Sequence, residues 1–198
     1  RDWSEVCLAQ MAGRGGYDNR KFAEQSLAAM LSVDWSLRAP QVPPLEEVRT
    51  GLDARFCGLE SVKRRILEIA ARIRSTGRLP RYGILLSGPP GVGKTSVARA
   101  VAGLLNLPMA DLDFSLVNDG DSLCGTARVY SNARPGRILE RFLEQGTANL
   151  VMVVNEADKG HVSDEHGSAM DALLSMVDNQ FADNYAGFRI PMEGVLLI

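Results

Sequence analysis

The chain has 198 residues, 45% of them hydrophobic, which suffices for one substantial core and a smaller attached element. Its 22 Lys and Arg against 24 Asp and Glu give a formal charge of -2, too little positive charge to attract a phosphate backbone, so no nucleic-acid partner is expected. The longest apolar runs, such as Leu150 to Val154, are far shorter than a membrane span, and no basic segment leads into an apolar run at the start, so no membrane partner and a cytoplasmic location are expected.

Residues Asp18 to Leu37 begin polar and turn apolar at helical spacing, with Phe22, Leu27, Met30 and Leu31 predicted to share one face. The next stretch, from Arg38 to Leu45, carries Pro40, Pro43 and Pro44, which remove backbone donors and disfavour helix; it reads as an extended linker ending near residue 45. Glu46 to Leu52 is compatible with a short helix. Gly58 to Thr76 predicts a longer one with Val62, Ile66, Ile69 and Ile73 as its apolar stripe, and Gly77 as its terminator. Lys63, Arg64 and Arg65 fall between these positions and are expected to form a solvated face.

After Pro80, the run Tyr82-Gly-Ile-Leu-Leu-Ser predicts a buried strand, and Lys94 to Leu105 predicts a helix. Further apolar runs at Met109 to Leu116, Leu150 to Val154 and Gly194 to Ile198 alternate with helices predicted at Pro135 to Glu144 and Ser168 to Val177. Such alternation predicts an α/β fold, a parallel sheet covered by helices.

Between the first strand and its helix lies Gly88-Pro-Pro-Gly-Val-Gly-Lys-Thr, a complete P-loop in the strand-to-helix context that the motif requires. A triphosphate is a dense anion, and holding it takes closely approaching backbone N-H groups, a helix N-terminus and a cation. Gly88, Gly91 and Gly93 permit the tight backbone, Pro89, Pro90 and Val92 complete the loop, and Ser96 lies in the first helical turn. Lys94 can reach the outer phosphates and the Thr95 hydroxyl can ligate Mg²⁺. ATP and Mg²⁺ are therefore the expected cofactors.

The strand Leu150 to Val154 ends in Asn155-Glu156-Ala157-Asp158, in the form and position of a Walker B segment. Such a segment ends in an Asp that holds the Mg²⁺ shell and a Glu that orients the attacking water. Here the first position is Asn155, whose amide can bond to a metal-bound water but brings no charge. Glu156 is the candidate base. Cys7, Cys57 and Cys124 are odd in number and lack CxxC spacing, which argues against a disulfide framework or zinc site; buried or half-buried thiols are expected. His161, Asp164, Glu165 and His166 have no metal-site spacing and read as a solvated polar loop. Trp3 and Trp35 are expected to pack the amino-terminal helices.

Several blocks together resemble the AAA+ ATPase module of Lon-type ATP-dependent proteases. They are Leu52 to Glu68, the P-loop through Arg99, Arg134-Pro-Gly-Arg-Ile-Leu, Asn155-Glu156-Ala157-Asp158-Lys159, and Gln180-Phe-Ala-Asp-Asn-Tyr. The resemblance implies a P-loop AAA+ core over residues 46–198, preceded by the helical end of an amino-terminal region and a Pro-rich linker over 1–45. It implies a ring, usually a hexamer, that threads unfolded protein substrates into a peptidase chamber. Phe56, Cys57 and Gly58 then fall where the family contacts adenine, although His-Tyr-Gly is the common sequence there. Tyr130 falls in the first pore loop, where an aromatic side chain grips the translocating polypeptide; Gly160 to Gly167 would be the second.

The family's sensor residue, trans-acting arginine, helical lid and Ser-Lys peptidase would all lie beyond Ile198. Arg1 is not an initiator Met and Ile198 falls inside an apolar run, so both ends are expected to be internal to a longer protein and the isolated piece to turn over little ATP. Two functions stay open: a motor in which Glu156 is the base, and a nucleotide-dependent scaffold in which Asn155 has weakened hydrolysis. A DNA-remodelling role is disfavoured by the acidic balance.

Overall fold

The computed structural model describes residues 5, 8, 9, 11, 17–117, 120–127, 133–159, 162–163 and 167–198. In chain order the elements are α1 (Tyr17–Ser32), α2 (Leu45–Arg55), α3 (Glu60–Thr76), α4 (Lys94–Leu105), β1 (Met109–Asp113), α5 (Gly120–Cys124), α6 (Arg137–Gln145), β2 (Leu150–Asn155), β3 (Val162–Ser163), β4 (Gly167–Ser168), α7 (Ala169–Val177) and β5 (Val195–Leu197). Short 3-10 turns occupy Phe114–Leu116 and Ala157–Lys159. The chain divides into two compact units.

One unit, formed by Ser36–Asp111, Asn149–Val154 and Glu193–Ile198, holds most of the sheet. The order is β1-β2-β5, and β2 pairs parallel with β5 in the register Leu150↔Val195, Val151↔Leu196 and Met152↔Leu197. Parallel neighbours need a crossover connection, which is why α6 and α7 intervene in sequence and why β2 reads as a continuous apolar run. The predicted α3 stripe is correct: Ile66, Ile69 and Ile73 are buried, and they join Val48 and Leu52 of α2, Val97 and Val101 of α4, and Val151 of β2 in one apolar cluster. Gly77 caps α3 in the left-handed conformation at φ 67°, donating its N-H to the Ile73 carbonyl at 2.7 Å.

Two expectations for this unit need correction. The run Tyr82 to Ser87 forms no regular strand and is not buried. Ile84 N-H donates to the Leu197 carbonyl at 2.9 Å, yet no regular ladder develops among the described residues, and Leu85 is 88% exposed. Ile84 and Leu86 are half-buried against the core cluster, so the run is covered on one face only, whereas a fully buried strand needs both faces covered. Lys63 is not part of a solvated face either. It is buried at 7% exposure while Arg64 and Arg65 remain exposed, because an ion pair with Asp53 lets its charge go where the apolar stripe goes. The Pro-rich stretch from Arg38 to Pro44 carries neither helix nor strand. The buried Asn149 side chain accepts from Arg38 N-H at 3.0 Å and donates to the Ser36 carbonyl at 2.7 Å, which fixes the linker's first residues.

The other unit comprises Arg1–Trp35, Leu112–Ala148 and Asn155–Met192. Trp35 meets the amino-terminal helix through Nε1, which donates to the Met30 carbonyl at 2.7 Å, but its ring packs elsewhere, 5.7 Å from Phe142 of α6 and 5.9 Å from Phe188. Trp3 lies outside the described residues. The buried side of α1 is formed by Ala23 and Ser26, while Phe22, Leu27 and Met30 are half-buried and Leu31 is 77% exposed, so the predicted apolar face is only partly the packed one. The run predicted to be strand through Leu116 stops at Asp113. There the carboxylate accepts from Ser115 N-H at 2.9 Å and from the Ser115 hydroxyl at 2.6 Å, a local bond that competes with ladder formation and starts the 3-10 turn.

Candidate nucleotide-binding site

The phosphate loop leads into α4, whose N-cap is Gly93 at φ 92°; Gly91 is also left-handed at φ 82°. An L side chain at either position would be strained, so the motif's glycines are required by the backbone path. The first helical hydrogen bond runs from Val97 N-H to the Gly93 carbonyl at 3.0 Å. The amides of the first turn have no intrahelical acceptor and, with the helix dipole, offer a concentrated positive end to an anion. Pro89, Pro90, Gly91, Val92, Thr95 and Ser96 are all exposed, leaving the loop open to a ligand.

Lys94 is folded back over this loop. Its ammonium donates to the Gly88 carbonyl at 2.8 Å and the Pro89 carbonyl at 3.0 Å. Phosphate oxygens are stronger acceptors than these carbonyls because they carry charge, so a triphosphate in the loop would take the ammonium over. The donor set of backbone amides, ammonium and a first-turn hydroxyl fits a Mg²⁺-bound triphosphate: Thr95 would give one oxygen, and phosphates and water supply the rest of the hard cation's shell.

Phe56, Cys57 and Gly58 lie in the same unit, in the turn between α2 and α3. Phe56 is half-buried against the core cluster. Cys57 is exposed, correcting the expectation of a buried thiol, since the turn projects between two helices. Gly58 at φ 71° and Leu59 at φ 59° follow one another in the left-handed region.

Asn155 and Glu156 belong to the other unit, at and just past the end of β2. Asn155 is half-buried, and Glu156 takes φ 57°. The Glu156 carboxylate pairs with Lys159 at 2.7 Å, and that hydrogen bond holds the Lys159 ammonium above its ordinary pKa. Asp113 is held below the usual carboxylate range, first by its two bonds from Ser115 and, less strongly, by the nearby charges of Lys159 and Arg137.

Tyr130, His161, Asp164, Glu165, His166 and Cys7 lie outside the described residues. Among the described residues no group of three or more His, Cys, Asp or Glu could hold a metal ion. The stem of the Tyr130 segment is described. Thr126 N-H donates to the Arg134 carbonyl at 3.0 Å, and the Gly136 N-H donates to Asp183 Oδ2 at 2.8 Å. Asp183 is 1% exposed, and its other oxygen accepts from Ala186 N-H at 2.7 Å. Asn184 adds a bond from its N-H to the Cys124 carbonyl at 2.7 Å and one from Nδ2 to the Gly125 carbonyl at 3.1 Å. Asp183 and Asn184 fall within the Gln180-to-Tyr185 block, where an Asp-Asn pair in a turn-rich run is the signal that the sequence offers for them. Burial, helped by the nearby Asp183 and Asp121 charges, pushes the Cys124 thiol up to about 11. That keeps it a neutral, inert thiol.

A parallel β1-β2-β5 sheet with a complete P-loop opening α4 defines a P-loop nucleotide-binding domain of α/β class. Residues 84–198 match the family described as ATPase family associated with various cellular activities, AAA, and the chain belongs to that family. Within it, the chain is similar to Lon proteases. It is 32% identical over 180 residues to a mitochondrial Lon protease homolog of Scheffersomyces stipitis, covering 89% of this chain and 16% of that protein. It is 34% identical over 173 residues to a Lon protease of Finegoldia magna, covering 85% and 22%. It is 36% identical over 177 residues to a Lon protease of Halothermothrix orenii, covering 87% and 22%. The chain thus spans about a fifth of the length of these relatives. No helix among the described residues is long and apolar enough to cross a membrane.

Proposed function

We propose that this chain is the ATP-binding and ATP-hydrolysing module of a Lon-like ATP-dependent protease, which uses turnover to unfold and translocate protein substrates. The observation that carries the reading is the P-loop: left-handed Gly91 and Gly93, a helix opening at Lys94, and a lysine already held over the loop by carbonyls that a triphosphate would outcompete. Lys94 neutralises the outer phosphates, and Thr95 ligates Mg²⁺, with Asn155 acting on the ion through water. Bound Mg²⁺ would supply charge neutralisation at the transferring phosphoryl group. Glu156 orients the attacking water once its carboxylate exchanges Lys159 for the water, and Phe56, Cys57 and Gly58 contact the base. Tyr130 grips the polypeptide in a homo-oligomeric ring, a hexamer by analogy with the family, in the cytoplasm and without nucleic acid. Residues 1–45 end an amino-terminal region and 46–198 form the ATPase subdomain. The similarity to proteins named Lon protease supports these assignments. The test is Mg²⁺-dependent ATP turnover in the longer protein that contains this chain, with Lys94→Ala as control; turnover independent of Lys94 would overturn the reading.

A second reading, a nucleotide-dependent scaffold, is favoured by one residue. Asn155 brings an amide where a carboxylate would hold the cation's shell, which weakens hydrolysis without touching the phosphate loop. Asn155→Asp decides between the two. Turnover within about threefold of the parent supports the motor, and a gain of roughly tenfold or more supports the scaffold.

A further inference from the structure

Lys63 is the buried lysine of the described chain, and its position is unfavourable on local grounds. It sits in the first turn of α3, where the helix dipole opposes a cation, and its partner Asp53 sits in the last turn of α2, where the dipole opposes an anion. The α3 N-terminus has no side-chain cap, and the α2 C-terminus is closed by the Phe56 N-H on the Leu52 carbonyl. The two charges satisfy each other instead: Lys63 Nζ donates to Asp53 Oδ1 at 2.7 Å and reaches Glu60 Oε1 at 3.4 Å. The lysine side chain is 9% exposed and the Asp53 side chain 55%, so the ammonium is drawn from the core side toward the mouth of the α2–α3 turn. The hydrogen bond that Lys63 donates to Asp53 also raises the lysine's pKa, keeping it charged.

The segment closed by this ion pair is the one that carries Phe56, Cys57 and Gly58. Its backbone is strained, with Leu59 left-handed at φ 59° immediately after Gly58. Leu gains nothing from that conformation, and such a residue persists only where its surroundings hold it. The holding contacts are Phe56 N-H to the Leu52 carbonyl at 2.9 Å, Lys63 N-H to the Leu59 carbonyl at 2.9 Å, and the Lys63–Asp53 pair bridging the two sides.

We infer that the Lys63–Asp53 ion pair is a positioning device that pre-forms the Phe56-Cys57-Gly58 turn for the nucleotide base, and so sets affinity for the base rather than for the phosphates. The inference rests on the proposed assignment of that turn to the base. Pre-organisation of this kind raises affinity by removing the ordering cost from the binding step. Lys63 touches no part of the ligand.

The test compares ATP with inorganic tripolyphosphate, which engages the P-loop but has no base. Lys63→Met, close in length and uncharged, is expected to weaken ATP binding roughly tenfold and leave tripolyphosphate binding within about twofold. Asp53→Asn, on the exposed partner, is expected to do the same if Lys63→Met folds poorly, and Lys63→Arg should restore most of the ATP affinity. Equal losses for ATP and tripolyphosphate would overturn the inference in favour of a general structural staple, and so would no loss for either. Phe56→Ala separates this from the underlying assignment: if it leaves ATP affinity unchanged while Lys94→Ala weakens it, the turn does not meet the base, and both fall together. If Phe56→Ala weakens ATP and Lys63→Met does not, only the positioning role falls.

Discussion

The Lys94 ammonium and the Gly88 carbonyl meet at 2.8 Å across the phosphate loop, so the residue proposed to neutralise the ligand closes the loop on itself. The bond is made between exposed groups and adds little to stability. It stations the cation over the loop. Lys94→Ala is expected to lower ATP affinity by roughly 10- to 100-fold. Stability should stay within about 0.5 kcal/mol, because the partners it leaves are solvated carbonyls. Calorimetric titration with ATP and a denaturant melt check both halves.

Gly136 allows no side chain. A Cβ built there would run into the Leu123 carbonyl and the Gly125 and Cys124 backbone, and Gly125 itself stands at φ 80°. Gly136→Ala is expected to cost about 3 kcal/mol or more, since backbone atoms rather than a flexible side chain would have to move. A urea melt of the chain would show it, and a loss under about 1 kcal/mol would mean the stem can rearrange.

Asp183 ties that stem to the turn after α7 by accepting the Gly136 and Ala186 amides from a buried position. Removing it leaves buried donors unsatisfied, so Asp183→Ala should destabilise by about 2 to 4 kcal/mol. Asp183→Asn should cost less, keeping one acceptor of the two. Comparing their denaturant midpoints tests the order.

Cys57 and Cys124 should separate cleanly in alkylation at pH 8. Cys57 is exposed, whereas Cys124 is half-buried with its pKa raised from 9.0 to about 11. Peptide mapping after iodoacetamide is expected to find the adduct on Cys57 well before Cys124. The same shift makes a pH statement. A thiol whose pKa is raised on folding gives its full stabilisation below the unfolded value, and loses it as pH rises from about 9 toward 11. Cys124→Ser should flatten the stability profile in that window.

Much of the fold was legible because its signals are local. The α3 stripe, its Gly77 stop, the helix from Lys94 and the β2 run all depend on residues within a few turns of one another. The failures share a cause in tertiary cover. Tyr82 to Ser87 has the composition of a buried strand, but only Ile84 and Leu86 find the core, and nothing in the run itself says that Leu85 faces out. The packed face of α1 is illegible in the sequence because Ala23 and Ser26 pack by being small, and small residues carry no apolar periodicity.

By itself the sequence determined that this chain carries a phosphate cradle in an α/β nucleotide-binding domain. Eight consecutive residues hold the glycines, cation and hydroxyl that the chemistry needs, and their order fixes their geometry. Only the tertiary structure decided that Lys63 is buried against Asp53, 10 residues away, and that Asp183 holds Gly136, 47 residues away. A charged side chain reads as solvated until its partner is in place, because burial without that partner would cost more than the fold could recover.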